Sequence, residues 1–370
     1  MCSAPKEVAV RPVVKPALRR VWRDATTLQI GVHHARSVVV GGITAKTAQL
    51  VAAFDGAHDA DALRRTARQL GLEASTVDRL LGMLVDAAVL DDASSDVGAL
   101  ATLPRAERDR LAPDLASMSL VSGRPDGGLA QAARRQAARV GIVGAGRVGC
   151  AVATILAAAG IGQLVVDDPM TCRPSDCGPA GPSIADAGST RAQATQAAIH
   201  RTSRSTRTTQ LRATQRYDIV VLAAAAALDP AVSDQLVRSD VPHINVTVRE
   251  ATAVIGPLVL PGTTACLRCL ELHRSDRDPA WPLIAAQLAS DGPHPAVDAC
   301  DVGLATLAAS VCALQVLAFV DGGTSAACDG TLEIALPDWR IRRRSWRTHP
   351  ACGCCWTDRD AVGLTTTLLT

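Results

Sequence analysis

Apolar residues recur at two different spacings along the chain, and the change of spacing divides it. In ASTVDRLLGMLVDAAVL, Val77, Leu80, Leu81, Leu84 and Val85 return at helical intervals, with Ser75 in the place of an N-cap. ITAKTAQLVAAFDG and DADALRRTARQLG read as two further helices, with Gly56 and Gly71 where C-terminal caps are expected. Upstream, LQIGVHHARSVVVGG carries short β-branched runs bounded by glycine, which predicts a strand pair. Residues 1–100 thus form one small unit of two or three strands and three short helices, the inventory of a winged helix. Residues 101–137 form a connector: a charged helical piece PRAERDRLAPDL, the turn-rich SGRPDGG, and QAARRQAARV. From Val140 strand and helix alternate. ARVGIVGAG, IGQLVVDD, YDIVVLAAA, PHINVTV and AVIGPLVLPG predict strands, VGCAVATILAAAG a helix, and DVGLATLAASVCALQVLAFVDG a long apolar one. That alternation over 138–370 predicts a parallel, doubly wound sheet.

Composition narrows the functions open to such a chain. Lys plus Arg is 38 against 36 Asp plus Glu, so no excess charge draws nucleic acid or an anionic membrane. Aromatic residues make up 2%, too few for a base-stacking surface. No uninterrupted apolar run approaches the ~20 residues that span a bilayer. The N-terminal MCSAPKEVAVRPVVKPALRR has proline and charge where a signal peptide has its apolar core, so a cytoplasmic protein is expected. Its twelve cysteines are then reduced thiols or metal ligands rather than disulfides.

Two motifs carry chemistry. GIVGAGRVGC holds a G-x-G-x-x-G loop between a predicted strand and helix. Gly144 permits the tight turn, Gly146 admits a pyrophosphate to the backbone, and Gly149 lets the helix approach the strand. The second strand ends in LVVDD, which places Asp167 or Asp168 to accept from ribose hydroxyls. This pattern suits ATP and NAD equally, and a plain helix-packing turn shares it. The second motif is a pair of cysteine knuckles. TACLRCLEL supplies Cys266 and Cys269, and HPACGCCW supplies Cys352 and Cys355 at the same spacing. Four such thiolates make a closed tetrahedral zinc site. Cys354 is an alternative fourth ligand, and a redox pair or ordinary buried thiols are the competing readings. His349 reads as a packing residue beside the knuckles.

Taken together, VGIVGAGRVGCAVATILAAAGIGQLVVDD, the helix DVGLATLAASVCALQVLAFVDG and the knuckles CLRC and CGCC make residues 129–357 resemble the ThiF/MoeB/HesA superfamily. This is the fold of ubiquitin-activating enzymes. The resemblance implies an α/β, Rossmann-like ThiF-type sheet with a structural zinc. In active members it implies ATP–Mg²⁺ and adenylation of the C-terminal carboxylate of a peptide or small ubiquitin-like protein. Gly144, Gly146 and Gly149 match the family loop, Asp168 its ribose-binding Asp, and Arg191 in AGSTRAQ falls near its phosphate-binding Lys. Two positions depart. PSDCGPAG replaces the family's S-N-L-x-R-Q, so its phosphate-binding Arg has no counterpart. In VVLAAAAALDP, Ala225 stands where the family has a Mg²⁺-binding Asp, and Asp229 comes several residues later. Arg147 offers another charge within the loop. Cys300 in VDACDVG lies close to a cysteine that some sulfur-transfer members use, a position that equally suits a small buried hydrophobe.

With its N-terminal unit the chain resembles the precursor-recognising proteins of thiazole/oxazole-modified peptide pathways, in which a PqqD-like winged helix precedes a degenerate ThiF-like domain. That layout implies a precursor peptide added as a strand to the small sheet. It also implies a separate bacteriocin-type cyclodehydratase as partner, and the superfamily admits a homodimer. No catalytic residue is assigned on this reading, and ATP is a candidate ligand only. The rival functions are a working ATP-dependent adenylyltransferase, a nicotinamide-dependent oxidoreductase and a winged-helix DNA-binding regulator. For the last, Arg19, Arg20 and Arg23 speak in favour and Asp59, Asp61, Asp78, Asp86, Asp91 and Asp92 against.

Overall fold

The computed structural model describes residues 10–223, 229–289 and 299–355, which group into two units, Met1–Ala133 and Arg134–Thr370. In the first, β2 (Arg20–Asp24), β3 (Thr27–Ile30) and β4 (Val38–Val40) form an antiparallel ladder, and β1 (Pro12–Val14) pairs with β5 (Leu90–Asp92). The strand pair expected in LQIGVHHARSVVVGG is β3 and β4. The third strand, RVWRD, is mostly exposed, so no apolar alternation announces it. Helices α1 (Ala45–Ala52), α2 (Ala60–Gln69) and α3 (Ala74–Asp86) fall where the periodicity places them. The N-cap of α3 is Glu73 rather than Ser75, with no side chain capping the first turn. Phe54, Leu50, Leu63, Val77 and Leu84 fill the core beneath the helices, with Ile30 from the ladder.

Helix α4 (Arg105–Ser122), expected in the connector, groups with this unit, and α5 (Leu129–Ala137) crosses the boundary between the two. A buried polar clamp holds α4. The Lys15 ammonium donates to the carbonyl of Ser119 and, at 3.3 Å, to that of Arg124, and it stands 3.5 Å from the Asp91 carboxylate. The Ser119 hydroxyl donates to the same carboxylate at 2.8 Å, so each buried polar group has a partner.

The second unit is a seven-stranded sheet in the order β12-β11-β10-β9-β8-β6-β7. Its parallel half is β6 (Arg139–Val143), β7 (Gln163–Asp167), β8 (Ile219–Leu222) and β9 (His243–Arg249). The antiparallel half is β10 (Thr252–Val259), β11 (Gly330–Ala335) and β12 (Ile341–Ser345). The sheet is therefore mixed, where the alternation predicts a parallel one. The reversal comes at Glu250–Ala251, both at positive φ (49° and 58°). A two-residue hairpin of this kind can only join antiparallel strands.

Around the sheet lie α6 (Arg147–Ala158), α7 (Arg191–Thr202), α8 (Pro230–Arg238), α9 (Leu267–Arg277), α10 (Trp281–Ala289) and α11 (Val302–Val320). Apolar on all sides, α11 packs through Leu304, Ala308, Cys312 and Val316 into the main core with Ile142, Leu156 and Ile255. By length and composition it alone among the described helices could cross a membrane, a possibility the apolar-run criterion passed over. Half of it is buried within this unit, as befits a core helix.

Candidate functional site

The glycine loop joins β6 to α6. Gly144 has φ +86°, in the left-handed region, and its N–H donates to the Asp167 carbonyl at 3.0 Å. A Cβ at Gly149 would stand 2.0 Å from the Gly144 carbonyl oxygen, so only glycine lets the helix close onto the turn. Helix α6 begins at Arg147 with Gly146 as its N-cap and no side chain capping it. Its first amides thus keep the positive end of the helix open toward the loop.

Of the two acids at the end of β7, Asp167 is exposed and Asp168 is buried. Asp168 Oδ2 accepts from the loop amide of Ala145 at 2.7 Å and Oδ1 from Met170 N at 3.0 Å, so the carboxylate fixes the loop. Arg191, first residue of α7, lies against it. Its Nη1 is 3.8 Å from Asp168 Oδ2, and a Cβ at Gly146 would touch its guanidinium carbon at 3.7 Å. The structure thus brings together Gly144, Gly146, Gly149, Asp168 and Arg191.

It adds a residue that the sequence reading passed over. PSDCGPAG opens with a short turn, Pro174–Asp176, which carries Asp176 inward to 6% exposure. Asp176 grips Arg191 in a two-pronged pair, Nε to Oδ2 at 2.9 Å and Nη2 to Oδ1 at 2.9 Å. An acid in a segment where the resemblance calls for a cation was the signal in the sequence. Arg147 does not point at a vacant loop either. It donates to the carbonyls of Ser175 at 2.8 Å and Cys300 at 2.9 Å. The Cys300 backbone therefore lies beside Arg147, the first residue of α6. Ala225, in the slot of the family's metal-binding Asp, lies outside the described residues. Asp229 caps α8, accepting from Ala231 N at 2.9 Å. Arg191 thus faces two carboxylates, Asp168 and Asp176, while Arg147 faces backbone carbonyls.

The cysteine knuckles converge elsewhere in the unit. Cys266, Cys269, Cys352 and Cys354 bring their Sγ atoms within 4.8 Å of one another. The Sγ separations are 3.8 Å for Cys266–Cys269, 3.5 Å for Cys266–Cys352 and 3.4 Å for Cys269–Cys354. Four sulfurs about 2.3 Å from one zinc sit about 3.8 Å apart, so the donor set fits that ion in number, type and spacing. Cys355 is not in the group; its Sγ lies 3.6 Å from that of Cys354 and 3.8 Å from the Thr264 carbonyl.

A hydrogen bond from Cys266 holds the Cys269 thiol well below its ordinary pKa, and His349 N–H also donates to it at 3.3 Å. The His349 ring joins Asp276 at 2.9 Å through Nε2 and accepts from Ala351 N at 3.1 Å through Nδ1. Both ring nitrogens are engaged, as a bracing residue requires. Trp346, buried among the knuckles, donates to Thr331 Oγ1 at 3.0 Å, with Arg277 and Arg344 over its ring.

A glycine loop and four distant thiols in one such sheet agree with the family model for ThiF, which matches residues 124–354. The chain belongs to the ThiF family. Solved structures share its fold. E. coli MccB with ATP is 18% identical with a TM-score of 0.65, over 93% of this chain and 99% of that one. The microcin C7 biosynthetic enzyme MccB in complex with N-formylated MccA is 16% identical with a TM-score of 0.65, over the same shares of 93% and 99%. PaaA is 17% identical with a TM-score of 0.67, over 90% of this chain and 99% of that one. No curated protein matches the chain. At these identities the likeness is one of fold, so the chemistry of this ThiF-family member rests on its own residues.

Proposed function

We propose that this ThiF-family protein recognises a precursor peptide and serves as scaffold for a separate cyclodehydratase, without adenylating anything itself. The observation that carries the reading is the state of the phosphate-side cation. Arg191 is already bonded to Asp176, and PSDCGPAG at 174–181 contains no arginine. Adenylyl transfer develops negative charge on the phosphates, and stabilising it needs cations aimed there. Here two carboxylates, Asp168 and Asp176, already face the Arg191 guanidinium before a nucleotide arrives.

Peptide capture falls to the first unit. Trp22 on β2 and Val39 on β4 are 52% and 48% exposed, on the two outer strands of the β2–β3–β4 ladder. An outer strand can accept an extended peptide by backbone pairing, with such side chains supplying apolar contact. The likeness to MccB, solved with N-formylated MccA, supports a peptide partner. The four knuckle thiols would hold a structural zinc, with Cys354 as the fourth ligand. Such an ion carries no open position for chemistry. The eleven described cysteines are all free thiols, which suits a reducing compartment such as the cytoplasm. Units 1–133 and 134–370 serve as the peptide-recognition and ThiF-like domains.

A second reading, a working adenylyltransferase, is favoured by the open N-terminus of α6 and the intact loop, which suit ATP. The two part in one experiment on the full chain with candidate precursor peptides. The scaffold reading expects peptide binding without ATP–pyrophosphate exchange.

A further inference from the structure

We infer that Asp176 is a built-in anion that occupies the phosphate side of the glycine-loop site, so that the site selects against a nucleotide's phosphates. The inference deepens the non-catalytic reading and rests on it. Asp176 is buried, and both its oxygens face Arg191 at 2.9 Å. That is the paired geometry a phosphate or carboxylate ligand would itself adopt on a guanidinium. The turn Pro174–Asp176 positions it, and the Arg173 N–H donates to its Oδ2 at 2.9 Å. The carboxylate is therefore held from both sides and is not a loose surface acid.

Apart from the first amides of α6, which stay open, the other nearby donors are already engaged. The Ala145 amide of the loop is taken by Asp168, and the Arg191 amide donates to the Met170 carbonyl at 2.7 Å. Arg147 is turned to the Ser175 and Cys300 carbonyls. A triphosphate would have to displace Asp176 from Arg191 and leave a buried carboxylate beside its own charges. A ligand that presents only a nucleoside meets no such conflict. Phosphates should therefore add little to affinity in this chain.

Asp176→Asn keeps the shape and the acceptor for Arg173 N–H while removing the charge. Titrating the full chain with adenosine, AMP and ATP by calorimetry tests the inference. Wild type is expected to bind ATP no tighter than adenosine. Asp176→Asn should bind ATP more tightly by tenfold to a hundredfold, the order expected for removing one like charge about 6–12 Å away at an effective dielectric near 20. Its adenosine affinity should not move, and Arg191→Gln in the variant should abolish the gain. An unchanged or weaker ATP affinity in a folded Asp176→Asn protein overturns the inference, the weaker result marking Asp176 as part of a cation site. Should the variant fail to fold, wild type still decides: ATP binding tenfold tighter than adenosine overturns it. Pyrophosphate exchange by wild type would instead sink the non-catalytic reading. An unresponsive Asp176→Asn leaves that reading standing.

Discussion

Replacing the knuckle cysteines one at a time tells the fourth ligand of the proposed zinc from its neighbour. Cys266 and Cys352 are 86 residues apart, so a metal joining them closes a long loop. Constraining a loop of that length in the unfolded chain is worth about 4–5 kcal/mol by the loop-closure relation used for cross-links. For a unit of this size, that corresponds to roughly 10–20 °C in melting temperature. Cys354→Ser removes a sulfur from the group of four and should lose the metal together with most of that stability. Cys355→Ser leaves the four intact, and should keep about one zinc per chain and stay within about 1 kcal/mol of wild type. The assay is metal content by emission spectroscopy alongside urea or thermal unfolding, with and without chelator. A Cys355→Ser protein that loses its metal while Cys354→Ser keeps it would refute the assignment. So would a folded, metal-free wild type.

Three further outcomes follow from the geometry. Gly149→Ala would force a Cβ onto the Gly144 carbonyl, so it should cost about 3 kcal/mol of stability in urea unfolding. A loss under 1 kcal/mol would mean that the loop gives way easily. Trp22→Ala on the exposed β2 should leave the melting temperature within a few degrees while weakening precursor-peptide binding about tenfold. Unchanged affinity would move the peptide off this ladder. His243 is fully buried, its Nδ1 on the Val241 carbonyl and its Nε2 without a partner, and burial pushes its pKa below 6.5. The unfolded imidazole takes up a proton near 6.5 and the folded one only at lower pH. Stability from this group is therefore full above 6.5 and falls on acidification, by at most about 1.4 kcal/mol per pH unit. His243→Gln should flatten that part of the pH–stability curve; an equal slope in the variant would assign it to other groups.

What could be read in advance follows from which signals are local. The glycine loop, the acid at the end of β7 and the long apolar helix each declare themselves within a dozen residues, and all fall where expected. Strands β11 and β12 carry no such signal. IRRRS is exposed at every position because it borders the sheet on one side only, so its pattern does not alternate. The mixed character of the sheet rests on two residues at positive φ, Glu250 and Ala251, neither of them a glycine that would advertise a tight turn. Serine favours the capping role, which points to Ser75, yet the chain enters α3 two residues earlier, at Glu73.

The site shows the same division. Spacing alone could propose four thiols but not choose between Cys354 and Cys355, because adjacent residues differ only in the direction the turn after Cys352 gives them. The pairing of Arg191 with Asp176 spans fifteen residues and depends on how the Pro174–Asp176 turn folds back. In the sequence the acid is visible. Its partner is not.

ATP–pyrophosphate exchange by the purified full chain, with candidate precursor peptides present, tests the central claim most directly. The account predicts that peptides bind and that exchange stays at background. Exchange above background that disappears in Asp168→Ala would contradict it and make the protein an adenylyltransferase.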